Sequence, residues 1–355
     1  MIKVLVVDDS ALVRKVLSDI INKTDGMMLL DTAHNPIFAI EKLKKNEADV
    51  IMLDIEMPRM DGLTFLQKLM RAKPTPVIIL SSLSTKNARI TLHAFEYGAF
   101  DVLAKPEDIL ELPAMEESII QSIRSAAQSG VKNKLKRKFE STEEEGEITP
   151  LPPPNRLFTT SRKTTDRVIV IGSSTGGTTA ISEILKGLPV DIPGIVIVQH
   201  MPLKFTYAFA ERLNNELPLT VKIAETGERI QNGYVYISPG DQHCSISVSG
   251  AKYLLKLRDG PKVNYHKPSV TVLFNSAANF AGPNTIGVML TGMGDDGAKA
   301  MKEMKNAGAY NIVQDEESSI VWGMPGKAFE YGAASIVLPL NKIADEICKY
   351  LRENT

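Results

Sequence analysis

The sequence predicts two α/β domains, each a doubly wound parallel sheet, joined by a flexible linker. Three observations carry this. In both halves of the chain short apolar strands alternate with amphipathic stretches, the pattern of βαβ units whose helices cover both faces of a parallel sheet. At 355 residues the chain is longer than one hydrophobic core usually serves. Between the halves, residues 132–165 pass from "KNKLKRK" to "EEEGE", "PLPPPN" and "TTSRKTTD". Blocks of like charge followed by clustered proline bury no core and tend to stay extended or disordered.

The strands of the first half are "KVLVVDD", "DVIMLDI", "PVIILSS" and "FDVLAKP", separated by helical stretches such as "ALVRKVLSDIIN". In the second half "RVIVIGS", "GIVIVQH", "GYVYISPG" and "TIGVMLTG" play the same part. The expected boundaries are 1–122 for the first domain, 123–165 for the linker and 166–355 for the second domain. Sites in open α/β sheets collect beyond the carboxyl ends of the strands, so residues just after a strand carry the most weight.

Composition excludes several classes. Hydrophobic residues make up 43% and charged residues 23%, as in ordinary soluble proteins. A net charge of −1 supplies no general field for nucleic acid or an anionic membrane. The longest apolar runs, "VIVIG" and "GIVIV", are too short to span a bilayer. The opening "MIKVLVVDDS" runs into two aspartates with no small-residue cleavage site, so it reads as a strand rather than a leader. Two cysteines, Cys244 and Cys348, offer neither CxxC spacing nor a disulfide framework. The expectation is a reduced, cytoplasmic monomer with no nucleic-acid partner and no membrane insertion.

Acids gather at the strand ends of the first domain. Asp8 and Asp9 close the first strand; Asp54 closes a later one, with Glu56 two residues on. Carboxylates brought together at one sheet edge repel unless one is protonated or a cation binds, and oxygen ligands with room for water suit Mg²⁺. Ser81 ends the next strand and Lys105 the last. A metal-bound carboxylate beside a lysine and a hydroxyl can accept a phosphoryl group, with Asp54 as nucleophile. Any one of these acids alone reads as a solvated loop carboxylate; Asp8, Asp9, Asp54, Ser81 and Lys105 together at strand ends do not.

The segments "VLVVDDS", "VIMLDIEMPRMDG", "VIILSS" and "AKP" resemble the receiver domain of two-component response regulators, over roughly residues 1–122. The resemblance implies a flavodoxin-like fold, phosphorylation of Asp54 by a histidine kinase, and Mg²⁺ held by Asp8, Asp9, Asp54 and the backbone carbonyl of Glu56. It makes Ser81 and Lys105 the residues that sense the phosphoryl group. One position departs from the pattern: Val102 stands three residues before the lysine, where many receivers carry an aromatic ring.

"VIVIGSSTGGTTA" opens the second domain. Gly172 and Gly177 have the spacing of a Walker phosphate loop, but Thr178 stands where its lysine should be. The dinucleotide pattern fails as well, because Ser174 takes the place of its second glycine. As G-x-S-x-G, residues 172–176 centre on Ser174 between a strand and the helical stretch "TTAISEILKGL". That arrangement exposes a serine hydroxyl at a sharp turn, near helix N–H groups that can meet a developing oxyanion. A glycine-rich turn with a capping serine is the plainer alternative. Choosing between them depends on a base and an orienting acid.

Of the five histidines, His34 and His93 lie in the first domain, and His266 sits in a loop with no strand end before it. His200 ends "GIVIVQH" on the same edge as Ser174, and His243 in "YISPGDQH" is the second choice of base. For the acid, Asp295 and Asp296 both follow "TIGVMLTGMG", and spacing alone does not choose between them. The chain order Ser, His, Asp differs from that of α/β-hydrolases.

"IGSSTGG", "VIVQHMP", "YISPGDQH", "MLTGMGDDG" and "VWGMPG" resemble the catalytic domain of the chemotaxis protein-glutamate methylesterases. With the receiver and the linker, the match covers nearly the whole chain. The resemblance implies a Rossmann-like α/β esterase domain with Ser174 as nucleophile, His200 as base and Asp296 as orienting acid. Its motif ends in an aspartate directly before glycine, which selects Asp296. Backbone N–H groups near Thr175 and Met293 are the expected oxyanion donors. The implied reaction is hydrolysis of glutamate methyl esters on methyl-accepting chemotaxis receptors, with deamidation of glutamines by the same acyl-enzyme. It implies receiver control by phosphorylation, and no cofactor in the esterase site. The alternative is a catalytically silent receptor-binding adaptor. A DNA-binding regulator would need a basic recognition helix after the linker, and residues 166–355 offer none.

Overall fold

The computed structural model describes residues 1–57, 61–82, 85–106, 108–128, 132–134 and 167–354, with the backbone alone at 85–87 and 89. Most of the linker expected from the charge blocks and prolines lies outside the described residues. The chain divides into two units, Met1–Thr149 and Pro150–Thr355.

In the first unit the order is β1 (Ile2–Val7), α1 (Ala11–Lys23), β2 (Met27–Ala33), α2 (Pro36–Lys45), β3 (Val50–Asp54), α3 (Gly62–Ala72), β4 (Val77–Ser82), α4 (Thr85–Glu96), β5 (Asp101–Lys105) and α5 (Glu116–Ala126). All five strands run parallel in the order β2-β1-β3-β4-β5. Val4–Val7 and all of β3 are buried, as a strand covered on both faces must be. β2, which sequence patterning passed over, is an edge strand of mostly half-buried residues, and its apolar signal is correspondingly weak. The helices start where a side chain can satisfy free N–H groups: Ser10 accepts from Val13, Asn35 from Ile37 and Phe38, and Asp61 from Thr64. Helix α5 continues past residue 122 to Ala126, because Ile119, Ser122, Ile123 and Ala126 keep one buried stripe going. The chain leaves β1 in opposite directions for β2 and β3, which opens a crevice above their carboxyl ends.

The second unit comprises β6 (Val168–Ser173), α6 (Gly177–Lys186), β7 (Gly194–Gln199), α7 (Leu203–Glu216), β8 (Thr220–Ile223), β9 (Tyr234–Ile237), β10 (His243–Ser249), β11 (Lys252–Arg258), α8 (Val270–Phe280), β12 (Thr285–Met289), α9 (Ala298–Asn306), β13 (Tyr310–Gln314), α10 (Met324–Glu330), β14 (Ile336–Leu338) and α11 (Leu340–Glu353). Seven strands form one parallel sheet in the order β14-β13-β12-β6-β7-β9-β8. β6, β7 and β12 are buried along their whole length. Val170, Val198 and Met289 belong to the same packed core as Leu273 and Phe274 of α8 and Met301 and Met304 of α9. Each such side chain contributes roughly 1.5–3 kcal/mol by leaving water.

An antiparallel ribbon of β10 and β11 stands apart from this sheet. Sequence reading did not separate it, although "CSISVS" alternates with the period of a strand and Gly250 turns the chain at φ 59°. Among the described residues no helix is long and apolar enough to cross a membrane. Cys244 and Cys348 are both buried and unpaired, and burial pushes the Cys244 thiol up to about 12.

Candidate active site and acid pocket

β12, β6 and β7 are neighbours in the second sheet, and their carboxyl ends bring Asp296, Ser174 and His200 to one place. After β6 the chain turns sharply. Ser174 N–H donates to the Thr291 carbonyl at 3.1 Å, and Gly177 N–H donates back to the Ser174 carbonyl at 2.8 Å. Gly176 adopts φ 78° and starts α6; Gly297 adopts φ 84° and starts α9, so both turns reach their helix through a left-handed residue that glycine takes without strain. Close approach fixes other glycines. A Cβ on Gly177 would lie 2.1 Å from Gln199 Oε1, and one on Gly292 would lie 2.8 Å from Ser174 Cβ.

Gln199 ties the Ser174 turn to His200. It is 3% exposed. Its Oε1 accepts from Ser173 Oγ at 2.6 Å, while Nε2 donates to the carbonyls of Ser174 at 2.9 Å and His200 at 3.3 Å. His200 N–H reaches back to the Ser173 carbonyl at 3.2 Å. The His200 side chain is 8% exposed; its Nε2 lies 2.9 Å from Asp296 Oδ2, and its Nδ1 is buried without a partner.

Asp296 is the most heavily bonded side chain of the group. Oδ2 also accepts from Val270 N–H at 2.7 Å; Oδ1 accepts from Ser269 Oγ at 2.8 Å, Asn264 Nδ2 at 3.1 Å and Thr271 N–H at 3.2 Å. Two of these donors are the first N–H groups of α8, which have no partner inside the helix and favour an anion. Burial pushes the carboxyl upward, but His200, Thr271 and Ser269 outweigh it and hold it well below the usual carboxylate range. Asp295, the other acid of the pair, is exposed.

The remaining expected residues are placed as follows. Thr175 is buried directly after Ser174, and the Thr291 hydroxyl lies 2.9 Å from its carbonyl. Met293 follows Gly292, whose backbone presses on Ser174. His243, the second choice of base, begins the ribbon rather than ending a sheet strand. It is 1% exposed, its Nδ1 accepts from Ser269 N–H at 3.2 Å and its Nε2 lies 2.9 Å from the Pro261 carbonyl, so both nitrogens are engaged away from Ser174. His34 packs against Phe38 with the rings tilted by 41°, and His93 pairs with Glu96. His266, set aside in sequence because no strand precedes it, stacks on His200 with ring centroids 3.7 Å apart and planes 7° apart. Gln199, Asn264 and Ser269 were also missed. Only Gln199, a polar residue at the buried end of a strand and next to His200, left any signal.

In the first unit, Asp8 and Asp54 are 0% and 2% exposed, and Asp9 is exposed. Carboxylate oxygens of the three lie within 4.8 Å of one another. Lys105 Nζ is 2.8 Å from both Asp8 Oδ2 and Asp54 Oδ2. Burial pushes Asp54 up to about 6; Lys105 opposes this and Asp8 reinforces it. Burial alone would lower Lys105, but Asp8 and Asp54 carry it above its ordinary value. Glu56 N–H donates to Asp54 Oδ1 at 3.0 Å, and Thr91 Oγ1 donates to Ser81 Oγ at 2.9 Å. Val102 occupies β5 three residues before Lys105.

Fold and sites thus define a receiver-type domain with a buried acid pocket, followed by a parallel-sheet α/β domain with a serine, a histidine and an aspartate at one sheet edge. Two family models match, CheB methylesterase over residues 169–347 and response regulator receiver domain over residues 4–116. A protein-glutamate methylesterase/protein-glutamine glutaminase of Albidiferax ferrireducens is 48% identical, covering 100% of this chain and 95% of its own. A protein of the same name from Geobacter metallireducens is 46% identical, covering 99% and 96%. The crystal structure of the Thermotoga maritima CheB methylesterase catalytic domain is 40% identical with a TM-score of 0.51, over 53% of this chain and 100% of its own. The chain belongs to the CheB methylesterase family, with a response regulator receiver domain ahead of the esterase.

Proposed function

We propose that this chain hydrolyses glutamate methyl esters on methyl-accepting chemotaxis receptors, and deamidates receptor glutamines, under control of phosphorylation at Asp54. The observation that carries the catalytic half is His200, bonded to Asp296 through Nε2 while its buried Nδ1 has no partner, one strand from Ser174. That is the nucleophile, base and orienting-acid arrangement with the two ring nitrogens exchanged relative to serine proteases.

The reaction follows from these groups. Ser174 Oγ attacks the ester carbonyl as His200 Nδ1 takes its proton, and Asp296, held as an anion, stabilises the imidazolium. Charge on the former carbonyl oxygen is met by backbone N–H groups near Thr175 and Met293. His200 returns the proton to the departing methoxide; methanol leaves and an acyl-enzyme remains. Water then attacks the acyl carbon as His200 takes its proton, and His200 passes that proton to Ser174 Oγ as the acyl bond breaks, releasing the glutamate carboxylate. A glutamine side chain gives the same acyl-enzyme when ammonia leaves. The work divides between a receiver at 1–122 and an esterase at 166–355 with 123–165 between them.

For control, Asp54 accepts a phosphoryl group from a histidine kinase, and Ser81 and Lys105 respond to it. Asp8, Asp9, Asp54 and the Glu56 carbonyl are hard oxygen donors, and Lys105 alone leaves Asp54 short of charge compensation, so the set fits Mg²⁺. Bound there, Mg²⁺ neutralises charge on the transferred phosphoryl group. The cytoplasm is the expected compartment, with chemoreceptor and kinase as partners.

The test is methanol release from a methylated receptor fragment by wild type and Ser174→Ala, each with and without a small phosphodonor and Mg²⁺. Release by wild type that rises with phosphodonor and disappears in the variant is the expected result. Equal release by both proteins removes Ser174; release by neither favours an adaptor.

A further inference from the structure

We propose that His266 is a positioning residue for the general base: its ring, laid flat on the His200 imidazole, holds that ring in the plane where Nε2 meets Asp296 and Nδ1 stays open to a proton. The inference rests on the reading of His200 as the base of the esterase.

A hydrogen bond at Nε2 fixes one point of the His200 ring and leaves the ring free to tip about it. A flat neighbour 3.7 Å away and 7° from parallel takes up the tipping freedom on one face. The segment bearing His266 is itself rigidly placed. Val263 and His266 exchange both backbone hydrogen bonds at 3.0 Å around the two-residue turn Asn264–Tyr265. Both turn residues adopt left-handed backbone, φ 50° and 67°, the sense required for a tight hairpin and an unusual one for tyrosine. Strain of this kind persists where surrounding contacts over-determine it, and it collects at functional sites. Here the contacts are visible: Asn264 Nδ2 lies 3.1 Å from Asp296 Oδ1 and 2.9 Å from Thr271 Oγ1. Asp296 therefore holds His200 directly and His266 through Asn264, so the base and its stacking partner share one anchor.

Charge fits the same role. The titratable and charged groups acting on His266 are His200, Asp296 and Lys262. Burial, reinforced by His200, pushes His266 down to about 3, so its ring is neutral near pH 7. A cationic ring at this distance would oppose the imidazolium that forms when Ser174 loses its proton.

The experiment uses the full chain with phosphodonor and Mg²⁺, comparing His266→Ala and His266→Phe with wild type and a Ser174→Ala blank, well below each melting temperature. His266→Ala should lower kcat about 10- to 100-fold with KM little changed, as expected when a reacting group is misplaced without loss of binding. His266→Phe, which keeps a flat ring and cannot titrate, should recover most of that loss. The His200 ring-proton NMR signals, displaced by the stacked ring, should move in the alanine variant and far less in the phenylalanine one. Wild-type kcat and unmoved signals in His266→Ala overturn the proposal. So does His266→Phe as inactive as His266→Ala, which would make the His266 imidazole a chemical participant. Wild type no faster than Ser174→Ala overturns the esterase reading itself and the role of His266 with it.

Discussion

Asp54 and Asp296 sit at the carboxyl edge of parallel sheets, both are almost fully buried, and both stand beside a basic side chain, yet their environments push them in opposite directions. Asp54 has Lys105 and one backbone N–H, shares its pocket with Asp8, and has its charge disfavoured by burial. Asp296 has four donors besides His200, two of them at a helix N-terminus, and keeps its charge. The lesson is that strand-end position gathers acids, while the number of donors decides what an acid can do. A carboxylate whose oxygens each have a single partner keeps lone pairs for an incoming group and a cation; one saturated with partners can only orient its neighbour.

The largest expected effect separates the two acids by chemistry. Asp296→Asn should cut phosphodonor-stimulated ester hydrolysis by about 10³- to 10⁴-fold, since the amide cannot stabilise the imidazolium and favours the wrong tautomer. Asp54→Asn should abolish only the response to phosphodonor. Initial rates of methanol release with and without phosphodonor measure both, and equal responses from the two variants would break the comparison.

Stability against pH should separate them next. For Asp54 the folded pKa is about 6 against an ordinary 3.8, so the folded chain holds the extra proton between these values and loses stability as pH rises through that window. Asp54→Asn should therefore stabilise the first unit at pH 8 without Mg²⁺, by up to about 3 kcal/mol, and the gain should vanish near pH 4. Asp296 has the opposite sign. Its folded pKa is depressed, so its contribution is complete above the ordinary 3.8 and disappears as pH falls through the folded value. Asp296→Asn should destabilise the second unit at neutral pH, with the difference closing in acid. Thermal melts of both variants across pH 3–8 check the two signs together.

The smallest effect tests the donor count. Ser269→Ala removes one charge-assisted bond to Asp296 Oδ1 and should cost about 1.5–3 kcal/mol in the denaturation midpoint analysis of the second unit at pH 7. No loss at pH 7, or a loss equally large at pH 3, would mean that the Ser269 hydroxyl does not act through the carboxylate.

Much of this was legible in the sequence because strand ends are legible. Runs such as "VIVIG" and "VIMLD" mark buried strands, and the next residue lands on the edge where sites form, so Asp8, Asp54, Ser174 and His200 could be picked out one by one. What stayed hidden arrives by tertiary packing. Asn264 and His266 lie in a loop after the ribbon, with no periodicity and no strand before them, and they reach the site because the chain doubles back onto the start of α8. Ser269 stands at the end of the same loop, again with no strand before it to mark it. Spacing left Asp295 and Asp296 open, and the motif resemblance chose Asp296; in the structure Asp296 is buried and Asp295 exposed, a matter of one turn's geometry that composition does not encode.

Val270 links the turns that carry Ser174 and Asp296. Its N–H holds Asp296, and its side chain fills the space beside two glycines: a Cβ on Gly172 would come within 2.3 Å of Val270 Cγ1, and one on Gly297 within 2.4 Å. One valine is thus the common wedge between the strand leading to Ser174 and the turn carrying Asp296. Damage at either glycine should spread through that wedge to the other turn, and alanine at both should lose far less than the two single losses added together. Ser174 and Asp296, 122 positions apart in the chain, would then behave as a single mechanical part.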